Sequence, residues 1–149
     1  MTVTVRRAET DSDREAALAV RRDVFVEEQG VPGDIEVDGK DGEAVHFVAI
    51  DDSEPVGAAR LRASDAATVG EGTIGKVERV AVVADRRGEG IGRAIMAELE
   101  TTAADVGLEE LELHAQLHVE EFYADLGYET TSDVFEEAGI DHVEMQKEL

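Results

Sequence analysis

The amino-acid sequence predicts an α/β fold in which helices flank one mixed β-sheet. The central observation is a strand, Val80–Val83, that runs through a glycine-rich stretch directly into a helix. The helix is indicated by Ile91, Ile95 and Leu99, which lie four residues apart. Alternating apolar segments before and after this unit are typical of strands with one buried face. The predicted order of elements is β-α-β-β-β-α-β-α-β.

Periodicity, caps and turn residues define the elements in chain order. The first half is predicted to contain the strand Val3–Arg7, a helix from the Asp11 cap region to Glu28, the loop Gln29–Glu43, and the strands Ala44–Ile50 and Val56–Arg62 around the turn Asp51–Pro55. The second half is predicted to contain the loop Ala63–Gly72, the strand Thr73–Val83, a helix that ends at Gly107, the strand Leu108–Leu117, the helix Val119–Leu126, and a closing antiparallel pair, Tyr128–Thr131 and His142–Lys147, around the loop Ser132–Asp141.

Length and composition favour one domain covering residues 1–149, because this length can bury a sizeable core. The absence of cysteine excludes a disulfide framework, a thiol nucleophile and a cysteine metal site. No apolar stretch approaches the length needed to span a membrane. We therefore expect a cytoplasmic protein that has no membrane partner.

The net charge of -22 reflects 36 acidic against 14 basic residues. The acidic residues are scattered over the predicted helices, loops and termini, which favours a solvating surface adapted to high salt over a docking surface for a basic partner. This acidic composition suggests a halophilic source. Because the chain has no basic stripe beyond a few local arginines, the sequence also argues against nucleic-acid binding.

The glycine-rich turn between Val83 and Ile91 predicts a phosphate site. A helix start offers unpaired backbone N–H groups and the positive end of the helix dipole, and glycine allows the ligand to approach closely. The dinucleotide pattern GxGxxG fails in both registers, and neither Gly-Lys pair continues into Ser or Thr as a P-loop requires. The pattern that fits is R-x-x-G-x-G, formed by Arg87, Gly90 and Gly92.

This signature resembles the acetyl-CoA motif of the GNAT superfamily of N-acetyltransferases. A second similarity is the segment Phe122–Tyr128, which looks like the Phe-Tyr-x-x-x-Gly-Tyr/Phe stretch of that family. The resemblance covers nearly the whole chain, and the segments Arg21–Pro32 and Phe135–Met145 look like a small stand-alone branch. It implies a mostly antiparallel sheet of about six to seven strands flanked by helices.

The resemblance also implies where acetyl-CoA binds. No metal is expected, because the spacing of the histidines matches no metal motif. The strand backbone would contact the pantetheine arm, the turn and helix start would hold the pyrophosphate, and a glutamine would replace a frequent family asparagine. The strand residues are Val80, Ala81 and Val82. The residues of the turn and the helix start are Arg87, Gly88, Gly90, Ile91, Gly92 and Arg93. The glutamine is Gln116.

Two residues are candidates for the chemistry of acetyl transfer to a primary amine. Tyr123 is the candidate general acid, because a phenol stays protonated at neutral pH and can donate to the departing thiolate. Glu78 is the candidate base, directly or through a water, provided that burial raises its pKa. Strand alternation predicts that Glu78 shares a side with Val80 and Val82. The alternatives are a packing role for Tyr123 and a solvation or ion-pairing role for Glu78.

The resemblance implies that the acceptor lies near the first helix, where Arg22 and Glu28 are candidate contacts. His142, at the entry to the last strand in a family-like segment, is a third candidate contact. A solvated helix face is the alternative for the first two, and a structural role is the alternative for His142. The resemblance leaves the acceptor and a homodimer open. A competing hypothesis is a regulatory module that binds acyl-CoA without transferring the acyl group.

Overall fold

The computed structural model describes residues 3–33, 44–63 and 74–149. Its strands are β1 (Val3–Arg7), β2 (Val45–Asp51), β3 (Glu54–Ala63), β4 (Ile74–Val82), β5 (Glu110–Gln116), β6 (Glu129–Thr130), β7 (Phe135–Glu137) and β8 (Ile140–Glu148). Its α-helices are α1 (Asp11–Arg21), α2 (Ile91–Asp105) and α3 (Glu120–Asp125). A π-helical segment, Arg22–Glu28, continues α1, and 3-10 turns occupy Ala84–Arg86 and Leu117–Val119. Residues 34–43 and 64–72 of the predicted loops lie outside the described residues.

The strands form one mixed sheet in the order β1-β2-β3-β4-β5-β8-β6, and β7 also pairs with β8. Only β4 and β5 pair in parallel among these neighbours, and the other pairs are antiparallel. The predicted fold class, a mostly antiparallel sheet flanked by helices, is therefore confirmed. None of the described helices is both long and apolar enough to cross a membrane.

The described sheet has eight strands, against the six to seven expected. The additional strand, β7, lies inside the predicted loop Ser132–Asp141 and forms a hairpin with β8. Its turn consists of Ala138 and Gly139, both of which have positive φ angles (52° and 77°). A three-residue strand is too short to show an alternating pattern, and this explains why the sequence predicted a loop.

The turn between β2 and β3 is shorter than predicted. Asp51 and Glu54 pair directly, so the turn consists of Asp52 and Ser53 alone. Both residues have positive φ (50° and 71°), which suits the tight two-residue hairpin turns. Pro55 was assigned to the turn because proline interrupts a strand ladder, but it is accommodated at an irregular point of the β2–β3 register.

Apolar side chains bury both faces of the sheet. On one face, α2 contributes Ile91, Ile95, Met96, Leu99 and Ala103 to a core that includes Phe47, Leu111, Leu113 and Met145. On the other face, α1 and its π-helical extension contribute Ala17, Val20 and Val24, which pack with Val48, Ala58 and Ala81. Removal of this apolar surface from water drives the packing of both layers.

A close approach of α2 to the sheet sets the position of the helix start. Gly57 of β3 lies beneath α2, and a Cβ atom at this glycine would be 2.6 Å from Cδ1 of Ile95 and 3.2 Å from Cγ2 of Ile91. Only glycine therefore allows the helix to lie this close to the strand without displacement. The contact brings the first turn of α2 beside the end of β4.

Candidate active site

β4 and β5 diverge part of the way along their length. Their parallel register runs from Ile74–Glu110 to Val77–Leu113 and ends there. A cleft of about 590 Å³ opens beyond this point. Its walls are the second half of β4, the end of β5, the start of α2, α3, the π-helical segment and the β7–β8 hairpin. Most of the residues that the sequence assigned to the site line this cleft.

A β-bulge at Arg79 accompanies the divergence. Glu78 pairs with Arg60 and Ala81 pairs with Ala58, so Arg79 and Val80 together lie opposite one residue of β3. Arg79 adopts a positive φ of 58°, which is unusual for a residue with a side chain. Because bulges bend a strand and increase its twist, the bulge accounts for the separation of β4 from β5.

The bulge also changes which face of the sheet Glu78 occupies. Val80 and Val82 pack with the core beneath α2, whereas Ala81 packs with the core beneath α1. Glu78 lies opposite Arg60 on the face of Ala81. The prediction that Glu78 shares a side with Val80 and Val82 was therefore wrong, because the extra residue reverses the alternation.

The glycine turn has the backbone geometry of an anion site. Gly88 and Gly90 have positive φ (80° and 85°), and Gly90 is the N-cap of α2 without any side-chain cap. The amide groups of the first helical turn consequently have no capping acceptor and point towards the cleft end of α2. Gly92 follows in that turn, where a Cβ atom would be 3.2 Å from Cζ of Phe122.

The first arginine of the turn neutralises nearby carboxylates. Arg86 donates hydrogen bonds to Glu89 (3.1 and 3.2 Å) and to Asp51 (2.7 Å). These bonds raise the pKa of Arg86. Glu89 is an anion at the start of a turn that is expected to bind phosphate, and its pairing with Arg86 compensates that charge.

Arg87 connects the glycine turn to the π-helical segment that continues α1. Its guanidinium donates to both carboxylate oxygens of Glu28 (2.7 and 2.8 Å) and to the carbonyl oxygen of Val82 (2.9 Å). The hydrogen bond from Arg87 lowers the pKa of Glu28. Arg93 is exposed at the same end of the cleft, and within the described ranges its side chain has no hydrogen-bond or ion-pair partner.

Glu78 is held by two buried arginines. Oε1 of Glu78 accepts from Arg60 (3.1 Å) and forms a short contact with Nε of Arg62. Burial raises the pKa of Glu78, but the hydrogen bond from Arg62 and the charges of Arg60 and Arg62 outweigh it, so the net pKa is lowered. The condition set for Glu78 as a base, a raised pKa, is therefore not met. The carboxylate acts here as the counter-ion of two buried cations.

We expect Glu78→Gln to reduce stability by about 3 kcal/mol at pH 7, because the substitution leaves two arginine charges less compensated in the interior. A lowered pKa in the folded state stabilises the protein above the unfolded value of 4.5, and this contribution is lost as the pH falls through the folded pKa. Urea unfolding of both proteins at pH 7 and pH 3 measures the difference.

Glu15→Gln, at an exposed position of α1, is the matched control and should change the free energy of unfolding by less than about 0.5 kcal/mol. Equal stability of the wild-type protein and Glu78→Gln at pH 7 would contradict the counter-ion role.

Tyr123 lies on α3. Its ring packs in the core beneath α2, and Tyr123 also forms part of the cleft wall. It is 7% exposed and makes edge-on contacts with Phe122 and Tyr128, whose ring centroids are 5.0 and 5.8 Å away. Burial raises the pKa of Tyr123, so the phenol is protonated throughout the physiological range. Both roles considered for Tyr123, packing and proton donation, are compatible with this position.

Gln116 at the end of β5 is paired across the cleft with the first helix layer. Its side-chain amide donates to Oε1 of Gln29 (2.8 Å) and accepts from Nε2 of Gln29 (3.3 Å). This reciprocal pair closes one side of the cleft beyond the end of the π-helical segment.

Two histidines lie close to one carboxylate where β5 and the β7–β8 hairpin form the cleft wall. Nδ1 of His114 lies 3.3 Å from both carboxylate oxygens of Glu137, and Nε2 of His142 lies 3.8 Å from Oε2 of the same residue. Phe135 packs against both imidazole rings, edge-on to His114 and stacked on His142. Among the described residues no group of histidines and carboxylates is arranged to hold a metal ion.

The cleft brings together all but one of the residues predicted for the site. Those that line it are Glu28, Glu78, Val80, Ala81, Val82, Arg87, Gly88, Gly90, Ile91, Gly92, Arg93, Gln116, Tyr123 and His142. Arg22 is the exception: it is exposed and is not part of the cleft wall, because the helical turn directs it to solvent. Its role as an acceptor contact stays a prediction, which the cleft wall does not support.

Sequence reasoning missed Glu137 and passed over His114, both of which line the cleft. Glu137 fell in a predicted loop, so nothing in the sequence indicated its neighbours. His114 alternates with Leu113 and Ala115, whose side chains are buried beneath α2, and this pattern could have placed it on the opposite face beside Gln116.

The comparisons with known proteins agree with this geometry. Residues 9–149 match the family model of the acetyltransferase (GNAT) domain. The chain is 39% identical over 142 residues to YjcF of Bacillus subtilis, described as an uncharacterised N-acetyltransferase, with 95% of this chain and 96% of that protein covered.

Solved structures show the same similarity. The crystal structure of Escherichia coli ElaA matches with a TM-score of 0.82 and 30% identity, covering 98% of this chain and 99% of that one. An acyl-CoA N-acyltransferase from Pseudomonas aeruginosa matches with a TM-score of 0.79 and 28% identity, covering 98% of each chain. With a family match that spans nearly the whole sequence, the chain belongs to the GNAT superfamily and is an N-acetyltransferase.

Proposed function

We propose that this enzyme transfers the acetyl group of acetyl-CoA directly to a primary amine of a small molecule or a protein. The observation that carries the proposal is the uncapped start of α2, where glycine φ angles leave amide donors facing the cleft. These donors and the helix dipole suit the diphosphate of coenzyme A. An aminoglycoside 6'-N-acetyltransferase of similar fold (TM-score 0.74, 16% identity) was crystallised with coenzyme A.

The diphosphate is proposed to bind Gly88, Gly90, Ile91 and Gly92 through backbone amides, with Arg87 and Arg93 supplying positive charge. β4 then supplies Val80, Ala81 and Val82 along the open side, where pairing with β5 has ended. Gln116 faces the same gap from β5. In this arrangement the acetyl thioester lies between the two diverging strands, and residues 1–149 act as one catalytic domain.

Acetyl-CoA supplies an activated acetyl group in the form of a thioester. Tyr123 is proposed to donate its phenolic proton to the sulfur as the C–S bond breaks, which avoids the release of a free thiolate. Burial raises the pKa of Tyr123, so the phenol carries its proton in the free enzyme. Glu28 and His142, which also line the cleft, are proposed contacts of the acceptor.

The test is thiol release from acetyl-CoA across a panel of primary amines, together with mass spectrometry of the products. We expect release that depends on the amine and matches the amount of acetylated product. A rise in melting temperature with coenzyme A but no transfer to any amine would favour the regulatory-module hypothesis. No rise in melting temperature would overturn the cofactor assignment itself.

We further expect Glu28→Gln to tighten coenzyme A binding by about two- to fivefold. Glu28 accepts hydrogen bonds from both terminal nitrogens of the Arg87 guanidinium. Removal of the Glu28 charge therefore frees that guanidinium for the diphosphate. The magnitude corresponds to the ~0.2–1 kcal/mol typical of an exposed ion pair. Isothermal titration with coenzyme A measures it, with the exposed neighbour Glu27→Gln as control. Weaker binding would show instead that Glu28 positions Arg87 for the ligand.

A further inference from the structure

The end of the β4–β5 register places two side chains at the opening of the cleft. Val77 and Leu113 are the last pair, so Glu78 and His114 are the first residues on each strand beyond it. Leu113 and Ala115 are buried beneath α2, and His114 between them therefore lies on the opposite face, which is also the face of Glu78. Both line the cleft.

Glu137 fixes the proton of the His114 ring. Nδ1 of His114 is 3.3 Å from each carboxylate oxygen of Glu137. The hydrogen bond from His114 lowers the pKa of Glu137, so this group is ionised and can only accept. Nδ1 must then carry the hydrogen, and the neutral imidazole has its lone pair on Nε2.

The surroundings of His114 favour proton uptake at Nε2. Glu144 of β8 lies 3.7 Å from Nε2. Further titratable groups near His114 are Lys76 and Glu78 of β4, His142 of β8 and Glu112 of β5. The pKa of His114 is raised, chiefly by the hydrogen bond to Glu137 and also by the charges of Glu137 and Glu144, against the opposing effects of burial and the Lys76 charge. An imidazolium formed there is stabilised by two carboxylates.

Other described groups of the cleft are less suited to accept a proton. Glu28 and Glu78 are paired with arginines and have lowered pKa values. Tyr123 is a protonated phenol.

The other histidines of the cleft are also less suited. Nδ1 of His142 lies 2.7 Å from the carbonyl oxygen of Ile140, its Nε2 faces Glu137, and its side chain is 9% exposed against 25% for His114. His118 lies at the phosphate end of the cleft, near Glu28.

We propose that His114 is the base of the reaction and takes a proton from the acceptor ammonium, directly or through one water, while Glu137 holds the ring. The assignment rests on the proposed function. The neutral nitrogen then bonds to the acetyl carbonyl carbon, and the C–S bond breaks with its electron pair on sulfur. Sulfur takes the Tyr123 proton, the second nitrogen proton restores the phenol, and His114 releases its proton to solvent.

The test compares two small acceptors. Methylamine is protonated at pH 7, like a lysine side chain, whereas hydroxylamine is already neutral there and needs no base before it attacks. We expect His114→Gln to lower kcat/KM for methylamine by about 10²–10⁴-fold and for hydroxylamine by less than about tenfold. A loss of equal size for both amines, or no loss, would overturn the assignment.

The pH profile separates proton transfer from a structural role. With methylamine, kcat/KM of the wild-type enzyme should rise with pH through an inflection above the ordinary histidine value of 6.5, because Glu137 raises the pKa. Glu137→Gln removes that charge and should move the inflection to lower pH. The exposed neighbour Glu136→Gln is the matched control and should leave both rate and inflection unchanged. An inflection that stays in place in Glu137→Gln would contradict the role of Glu137.

The outcomes also separate the two levels of the proposal. If the wild-type enzyme acetylates neither amine and coenzyme A leaves the melting temperature unchanged, the proposed function fails and the assignment of His114 fails with it. If the wild-type enzyme is active and His114→Gln matches it with methylamine, only the assignment of His114 fails.

Discussion

Gly90→Asp should abolish the stabilisation of the enzyme by coenzyme A. Gly90 caps α2 at a φ of 85°, and a Cβ atom there would have nothing within 4 Å, so the new side chain projects into open space at the helix start. A carboxylate there repels the diphosphate and competes for the same amide donors. Coenzyme A at about 100 times its Kd stabilises the wild-type protein by about 2.7 kcal/mol, roughly 5–10 °C in melting temperature.

Gly107→Asp provides the matched control for this substitution. Gly107 follows the other end of the same helix, has a φ of 89°, and likewise has nothing within 4 Å of a Cβ position. Both variants thus incur a similar backbone strain, of about 1–2 kcal/mol. Only Gly90→Asp should lose the response to coenzyme A in a thermal-shift titration. Equal shifts in all three proteins would exclude the glycine turn from ligand binding.

Tyr123→Phe should lower kcat by about 10²–10⁴-fold and leave coenzyme A affinity nearly unchanged. Phenylalanine keeps the edge-on ring contacts with Phe122 and Tyr128, so the substitution removes only the hydroxyl group. The loss arises because the departing sulfur no longer has a proton donor. Steady-state kinetics with the best amine of the panel, together with coenzyme A titration, measure the two quantities.

Tyr128→Phe is the control for the loss of a tyrosine hydroxyl from the same aromatic group. The Tyr128 hydroxyl donates to Glu100 (2.9 Å) and is not part of the cleft wall. This variant should show a change in stability but the turnover of the wild-type enzyme. Turnover of Tyr123→Phe equal to that of Tyr128→Phe would assign Tyr123 to packing alone.

The fold was predictable because its signals are local. Period-two patterns predicted β1 at its observed bounds and the other long strands to within a few residues, and Gly107 and Gly127 marked helix ends with positive φ. The Arg79 bulge left no such signal, since an arginine with a φ of 58° is decided by the neighbouring strands rather than by its own sequence. That single residue reversed the predicted face of Glu78.

The site was predictable where it consists of backbone and unpredictable where it consists of ion pairs. The glycine turn follows directly from the pattern of glycines and was assigned residue by residue. The pairing of Arg87 with Glu28 joins positions 59 residues apart, and the contact of His114 with Glu137 depends on the β7–β8 hairpin. Such pairs follow from the register of distant strands, and the charge state of each carboxylate follows from them.

The ring of Phe122 lies between the glycine turn and Tyr123, because it borders the space beside Gly92 and contacts the Tyr123 ring. A side chain at position 92 would have to push that ring, because its Cβ atom would be only 3.2 Å from Cζ of Phe122. Because the ring of Phe122 also contacts the ring of Tyr123, with centroids 5.0 Å apart, such a displacement should reach the proposed proton donor as well as the proposed diphosphate site. Substitutions that reshape the diphosphate end of the cleft should therefore displace Tyr123 and lower turnover, even when coenzyme A still binds.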